Sequence, residues 1–434
     1  MQTTLSPEFA GTPEGMAAEA ILRKCVHCGF CTATCPTYQL LGDELDGPRG
    51  RIYLMKQVLE GQAPTRATQL HLDRCLTCRN CETTCPSGVE YGNLVDIGRR
   101  IVDAKVERPA GERAKRWLLR EGLTSPLFGP ALKLGQALRP LLPATLKAKV
   151  PDPAARATSV REGLWPQRTH ARKVLMLMGC VQPAMKPNIN AATARVLDLA
   201  GVQAIAPDGA GCCGAVRSHG GDHDGGLADM RRNIDAWWPW VAGLTDAGSV
   251  EAIVMNASGC GVTVKDYGHA LAHDPDYADK AARVSALTRD IGELLDGLMP
   301  ALVAHWAGVK ERRGGADAPE RASGTPLVFH PPCTLQHGQQ LRGGVEQILA
   351  ALDFDVRLAA TESHLCCGSA GTYSVMQPVI ATQLRDRKLA ALAAAQPTPR
   401  AIVSANIGCI SHLQSGTTTP VRHWIELVDE RLAG

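Results

Sequence analysis

The chain of 434 residues is 45% hydrophobic and 21% charged, which excludes both a disordered tail and a bundle of membrane spans. A net charge of +3, from 46 basic and 43 acidic residues, and an aromatic content of 4% argue against nucleic acid as a partner. The 16 cysteines are too sparse for a disulfide scaffold and too many for ordinary core packing. Residues 1–24 carry no basic-then-apolar export pattern, so the expected location is the cytoplasm. There thiols serve metals or redox chemistry. The longest charge-free stretches, 365–384 and 401–421, are rich in Gly, Ser, Thr and Gln and each contain a proline, so neither reads as a membrane span.

Taken from the N-terminus, the first signal is Cys25-Val-His-Cys28-Gly-Phe-Cys31-Thr-Ala-Thr-Cys35-Pro36. It is repeated as Cys75-Leu-Thr-Cys78-Arg-Asn-Cys81-Glu-Thr-Thr-Cys85-Pro86. Both are the C-x₂-C-x₂-C-x₃-C-P run of a two-cluster bacterial ferredoxin. Three thiolates at that spacing wrap one cubane, and the fourth reaches the neighbouring one. Cys25, Cys28, Cys31 and Cys85 are therefore expected on one [4Fe-4S] cluster, and Cys75, Cys78, Cys81 and Cys35 on the other. Paired zinc knuckles are the competing pattern, but a third cysteine step followed by Cys-Pro fits them poorly. Gly29 is expected to let the backbone approach the sulfides. His27, Arg74 and Arg79 lie beside ligands, where they tune potential or act as ordinary surface residues. Helical spacing predicts core-packed helices over Pro48–Leu59 and Tyr91–Val106.

Residues 121–170 hold seven prolines and read as a basic connector with one short helix. Its stretch from Ala131 to Val150 mixes Leu with Lys and Arg, a pattern that also suits a membrane surface or a partner. A second linker, 311–326, divides the remaining chain into halves that repeat. Cys180, Cys212–Cys213–Gly214 and Cys260 recur as Cys333, Cys366–Cys367–Gly368 and Cys409, offset by about 150 residues, the mark of an internal duplication. Short apolar runs at Val174–Met178, Ala252–Met255, Leu327–Phe329 and Ala401–Val403 are predicted strands. Asn190–Leu199 and Val375–Leu392 are predicted helices between them. That alternation implies a parallel α/β sheet in each half, with the cysteines where strands end. The glycine-rich 220–226 lacks dinucleotide-fingerprint spacing and reads as a loop.

The Cys-Cys-Gly halves resemble the cysteine-rich CCG domain, found in heterodisulfide reductase B-type subunits and in iron–sulfur subunits of flavin-linked dehydrogenases. In the former branch each motif ends in CxxC and can hold a non-cubane cluster. Here Thr263 and His412 stand at the last position; His412 could serve as a nitrogen ligand and Thr263 is a poor one. Three readings stay open for Cys180, Cys212, Cys213, Cys260, Cys333, Cys366, Cys367 and Cys409: further iron–sulfur ligands, vestiges on a quinone- or partner-docking surface, or redox thiols. His330 and His364 are candidates for moving protons or for plain structural roles.

The whole layout resembles the family of glycolate oxidase (glycolate dehydrogenase) iron–sulfur subunits. The stretches 22–61 and 71–92, Asn256–Gly261 and Ala405–Cys409 carry that likeness. The Pro48–Arg51 element is shared more widely. The resemblance implies a fold of mixed class: a mainly helical two-cluster ferredoxin-type domain (1–120), the connector (121–170), a first α/β CCG domain (171–310), the linker (311–326) and a second CCG domain (327–434). It implies an electron-transfer subunit without a catalytic site of its own. One or two FAD-binding partner subunits would oxidise glycolate to glyoxylate, and quinone or another membrane acceptor would receive the electrons. That acceptor would place the chain on the cytoplasmic face of a bacterial inner membrane. Equivalent subunits serving glycerol 3-phosphate or lactate are the alternative.

Overall fold

A computed structural model describes residues 1–141, 163–245, 248–313 and 326–433. The N-terminal part is helix and loop throughout its described residues. Thr12 caps the helix Pro13–Lys24 by accepting from the Gly15 amide at 3.0 Å. The helices Pro48–Leu59 and Tyr91–Lys105 lie where their apolar spacing predicted. They pack Met55, Leu59, Leu94 and Val95 against Leu22 and Leu72. Gly50 is required there because a Cβ would run into the Glu44 carbonyl.

Two four-stranded parallel sheets follow. The first contains β1 (Arg172–Met176), β2 (Val202–Ile205), β3 (Ala252–Met255) and β4 (Thr288–Asp290), in the order β2-β1-β3-β4. The second contains β5 (Leu327–His330), β6 (Val356–Leu358), β7 (Ile402–Ser404) and β8 (Val421–His423), in the order β6-β5-β7-β8. The repeated order extends the cysteine duplication to topology. Continuous apolar runs such as Ala252–Met255 are buried along their whole length, as strands covered on both faces must be.

The halves share one hydrophobic core, in which Val174, Ile189 and Leu197 join Phe329, Trp424 and Val428. The helix Asn188–Leu199 of the first half lies along Trp424–Ala433 of the second. Between them Arg195 donates to both carboxylate oxygens of buried Asp429, at 2.7 Å for Nη2 to Oδ2. Asn188 donates to Glu426 at 2.9 Å, and the Ser258 amide donates to the Ala405 carbonyl at 3.0 Å.

The ferredoxin-like part is pinned to both halves. Arg79 bridges Glu82 and Asp266, and Arg217 bridges Glu121 and Asp222. On the second half Tyr373 Oη donates to the Arg74 carbonyl at 3.0 Å, while Leu76 and Leu40 pack with Tyr373, Ile380 and Leu384. His337 sits in this seam, 3.0 Å from Thr83 Oγ1 and 2.8 Å from the His364 carbonyl. Burial, more than Arg342 and His364, pushes His337 down to about 4 from an ordinary 6.5. A histidine depressed in the folded state leaves stability intact above about pH 6.5 and removes it as pH falls toward the folded value. Acidification from about pH 7 to pH 5 should therefore cost about 2 kcal/mol through this group. Urea unfolding of wild type and His337→Gln across that range checks it: the substitution should remove this part of the slope.

Several sequence expectations shift. The helix predicted over Val375–Leu392 is broken at Pro378 into Tyr373–Met376 and Pro378–Ala395, because proline supplies no amide for the preceding turn. The stretch read as a loop at 220–226 opens a helix instead. His223–Val241 starts there with Asp222 accepting from the Gly225 amide at 3.1 Å. The helix Ala110–Thr124 runs across the boundary expected at 120, and Phe128–Ala137 follows it. Residues 142–150 of the amphipathic stretch and most of the 311–326 linker lie outside the described residues.

Candidate metal centres

The two cysteine runs fold as matched loops. His27 and Gly29 in the first, and Thr77 and Arg79 in the second, have positive φ, from +51° to +86°. Left-handed residues alternating with ordinary ones curl the chain and turn successive amides to one side, making a concavity suited to anionic sulfur. At Gly29 the left-handed φ of +86° itself favours glycine, and a Cβ there would stand 2.8 Å from Arg49 Nη1. Cys25, Cys28, Cys31 and Cys85 all line one cavity, with Pro48, Arg49, Ile52, Pro86 and Tyr91 completing its wall. Cys81 borders it too, so the second set of thiols is adjacent. Of the charges that act on buried Cys81, the three strongest are the thiols of Cys78, Cys75 and Cys35. The thiol sets and their looped amides fit cubane iron–sulfur groups.

Burial, then repulsion by Cys25 and Cys28, pushes the Cys31 thiol up to about 11, and burial likewise raises Cys78 and Cys81 well above the ordinary thiol range. As free thiols these stay protonated; only bound metal charge would hold them as thiolates. Polar groups already surround the sulfurs. Tyr91 Oη reaches Cys75 Sγ at 3.6 Å, the Thr77 amide reaches it at 3.4 Å, and Thr37 Oγ1 lies 3.2 Å from Cys35 Sγ.

The Pro48–Arg51 element, unspecific as sequence, gains a role here. Arg49 faces the first loop and is held by Glu44 at 2.6 Å. Arg51 is fully buried beside the second set, donating to the His71 carbonyl at 2.7 Å and to Thr37 and Asp46. Burial opposes the charge on Arg51, but Tyr91, Cys75, Cys35 and Asp46 outweigh it and hold the guanidinium firmly protonated. Each arginine thus sits at one thiol set, where positive charge favours the reduced, more negative state of a cluster. Arg74, a candidate tuner, donates to Asp46 at 2.7 Å, and His27 Nε2 contacts Met1 Sδ at 3.1 Å.

In both CCG halves the cysteines follow the carboxyl ends of the first three strands, at the point where open parallel sheets place ligands. Gly214 and Gly368 have φ of +93° and +88°, and a Cβ would meet the Gly226 carbonyl at 2.7 Å and the Ala381 carbonyl at 2.6 Å. Only glycine suits these turns, which explains the third letter of the motif. In the first half the thiols of Cys180, Cys212 and Cys213 act on one another, and with the Gly214 and Val216 amides favouring its thiolate Cys212 is held low while its partners are raised. In the second half Cys333 Sγ lies 3.8 Å from Cys366 Sγ, and Cys366, Cys367 and Cys409 continue the chain of contacts. Cys78 of the ferredoxin loop packs against the cluster that contains Cys333 and Cys366, and Cys333 is the thiol that acts on it most strongly. Thr263 turns back to the Gly259 carbonyl, and His412 Nε2 lies 3.1 Å from the Ala381 carbonyl. The histidine that joins the second nest is His330, whereas His364 contributes its backbone carbonyl to the seam.

A family model described as a 4Fe-4S dicluster domain matches residues 21–89, and one described as a cysteine-rich domain matches 174–265 and 327–414. The chain is 52% identical to the glycolate oxidase iron–sulfur subunit of Escherichia coli strain K12, over 100% of this chain and 99% of that protein. It belongs to the family of glycolate oxidase iron–sulfur subunits. A probable glycolate oxidase iron–sulfur subunit of Bacillus subtilis strain 168 is 30% identical over 92% of the chain and 89% of that protein. Lactate utilization protein A of Bacillus licheniformis is 24% identical over 60% of the chain and the whole of that protein. As a member of the glycolate oxidase family the chain is an iron–sulfur subunit of an oxidoreductase, built from a dicluster ferredoxin-type region and two cysteine-rich domains.

Proposed function

We propose that the chain relays single electrons from an FAD-bearing partner that converts glycolate to glyoxylate to an acceptor such as membrane quinone. In this reading Cys25, Cys28, Cys31 and Cys85 hold one [4Fe-4S] cluster, and Cys75, Cys78, Cys81 and Cys35 hold the other. Each such group, once bound, takes up and releases one electron at a time, complementing a flavin that collects two. The observation that carries the direction of the relay is the contrast in exposure. Cys28 lies at the surface between exposed Val26 and Phe30, while Cys78 faces inward to the second half. A partner approaching the first loop would thus meet a thiol at the surface, and the second set would carry the electron into the body. Arg49 and Arg51 hold positive charge along this line, and Tyr91 donates to the Cys75 sulfur.

Contact with a membrane acceptor is supported by exposed Leu127, Leu134, Leu138 and Leu141, in a stretch without acidic residues from 122 to 151. No described helix is long and apolar enough to cross a membrane.

Anaerobic pull-down of the tagged chain from its own host tests the reading. An FAD protein should co-purify, and adding glycolate should bleach the iron–sulfur absorption of the complex. Bleaching by lactate or glycerol 3-phosphate instead of glycolate would transfer the chain to the alternative substrates. A colourless preparation would end the relay altogether.

A further inference from the structure

His330 closes β5 with its side chain fully buried, and neither ring nitrogen has a hydrogen-bond partner. A buried imidazole without partners carries a desolvation cost that native structures rarely leave uncompensated. What surrounds it is thiol: one ring nitrogen of His330 and the sulfurs of Cys367 and Cys409 all lie within 4.8 Å of one another. Ligands of one tetrahedral ion, at metal distances of about 2.0 to 2.3 Å, stand about 3.5 to 3.8 Å apart. Thiolates of a cubane sit on separate irons and stand wider. Among the described residues the ferredoxin cysteines form no such close trio. The one other, Asp43–Asp46–His71, is already drawn into salt bridges from Arg51 and Arg74.

We infer that the second half holds a single thiophilic divalent ion, of the zinc or ferrous class, on His330, Cys367 and Cys409, with Cys366 the adjacent thiol for a fourth position. A buried cation is placed to balance the thiolates. Lys388, itself buried, donates to the carbonyls of Glu362 and Ser363 and faces Cys367, Cys366 and Cys333. The first half carries no imidazole at the matching position. Leu177, three residues before Cys180, stands where His330 precedes Cys333, so the duplicated nests are not equivalent. The site therefore belongs to one copy only, the copy that faces Cys78.

The test uses the full chain, purified anaerobically with its partners, and counts zinc, iron and acid-labile sulfide per chain. The proposal expects one metal ion beyond the cluster iron, without matching sulfide. His330→Leu, which installs the residue the first half carries, should lower that ion at least fivefold and leave labile sulfide unchanged. Cobalt(II) exchanged into the site should give thiolate-to-cobalt absorption that Cys409→Ala weakens. Zinc in this position would mark a structural ion and ferrous iron a redox-active one. An absent extra ion, one retained in His330→Leu, or extra iron matched by extra sulfide would each overturn the proposal. None of these outcomes touches the ferredoxin-loop thiols on which the relay depends.

Discussion

Cys78→Ala should strip about four irons from each chain and lower glycolate-driven dye reduction by about a hundredfold or more. The reasoning is positional. Cys78 belongs to the thiol set that burial would otherwise keep protonated, so losing one sulfur leaves three that hold a cluster poorly. It is also the ferredoxin-loop thiol that faces Cys333, so its loss falls at the junction with the second half. Cys28→Ala should remove a similar amount of iron from the other set. The two variants separate by how far electrons travel. With Cys28 gone, substrate should no longer reduce the remaining cluster, although dithionite still should. With Cys78 gone, substrate should still reduce the exposed cluster, but the acceptor should stay oxidised. Electron paramagnetic resonance after each reductant reads this directly. Full iron content and full turnover in Cys78→Ala would refute the ligand assignment and the route together.

The second large effect concerns stability. Arg195→Met should destabilise the packed halves by about 3 to 5 kcal/mol, because it strips a fully buried carboxylate of its guanidinium. Asp429 is 1% exposed and receives two charged donors from Arg195, which also donates to Asn188 and the Leu164 carbonyl. Adding Asp429→Leu should restore much of the loss, since a buried ion pair often adds little over an apolar pair of similar size. Urea titration of the three proteins, followed by tryptophan fluorescence from buried Trp424, measures it. A single-variant loss below about 1 kcal/mol would mean the pair is dispensable.

Much of this arrangement was legible because its constraints are local. The spacing of Cys25 to Cys35 dictates a loop, and a loop of that length leaves few positions for its thiols. Strands were legible where apolar runs were unbroken, and the duplication was visible because the Cys-Cys-Gly triplet recurs at a matching offset with a glycine that the turn requires. What sequence left dark depends on contacts far apart in the chain. Arg51 reads as one more basic residue until folding buries it between Asp46 and two thiols. His330 reads as a strand-end histidine until Cys367 and Cys409, from two other strand ends, arrive beside it. The helix starting at His223 was hidden by four glycines within 220–226, whose low propensity is overridden by the Asp222 cap and by burial of Met230, Ile234 and Trp237.

The ferredoxin region is fastened at Arg79 and Arg217 to one half and at Tyr373 and His337 to the other. A carrier gripped on two sides has no swing available to it. The gaps between its redox stations are then set by packing, so passage inside the subunit should be indifferent to solvent viscosity, and only the arrival and departure of partners should slow in thickened media.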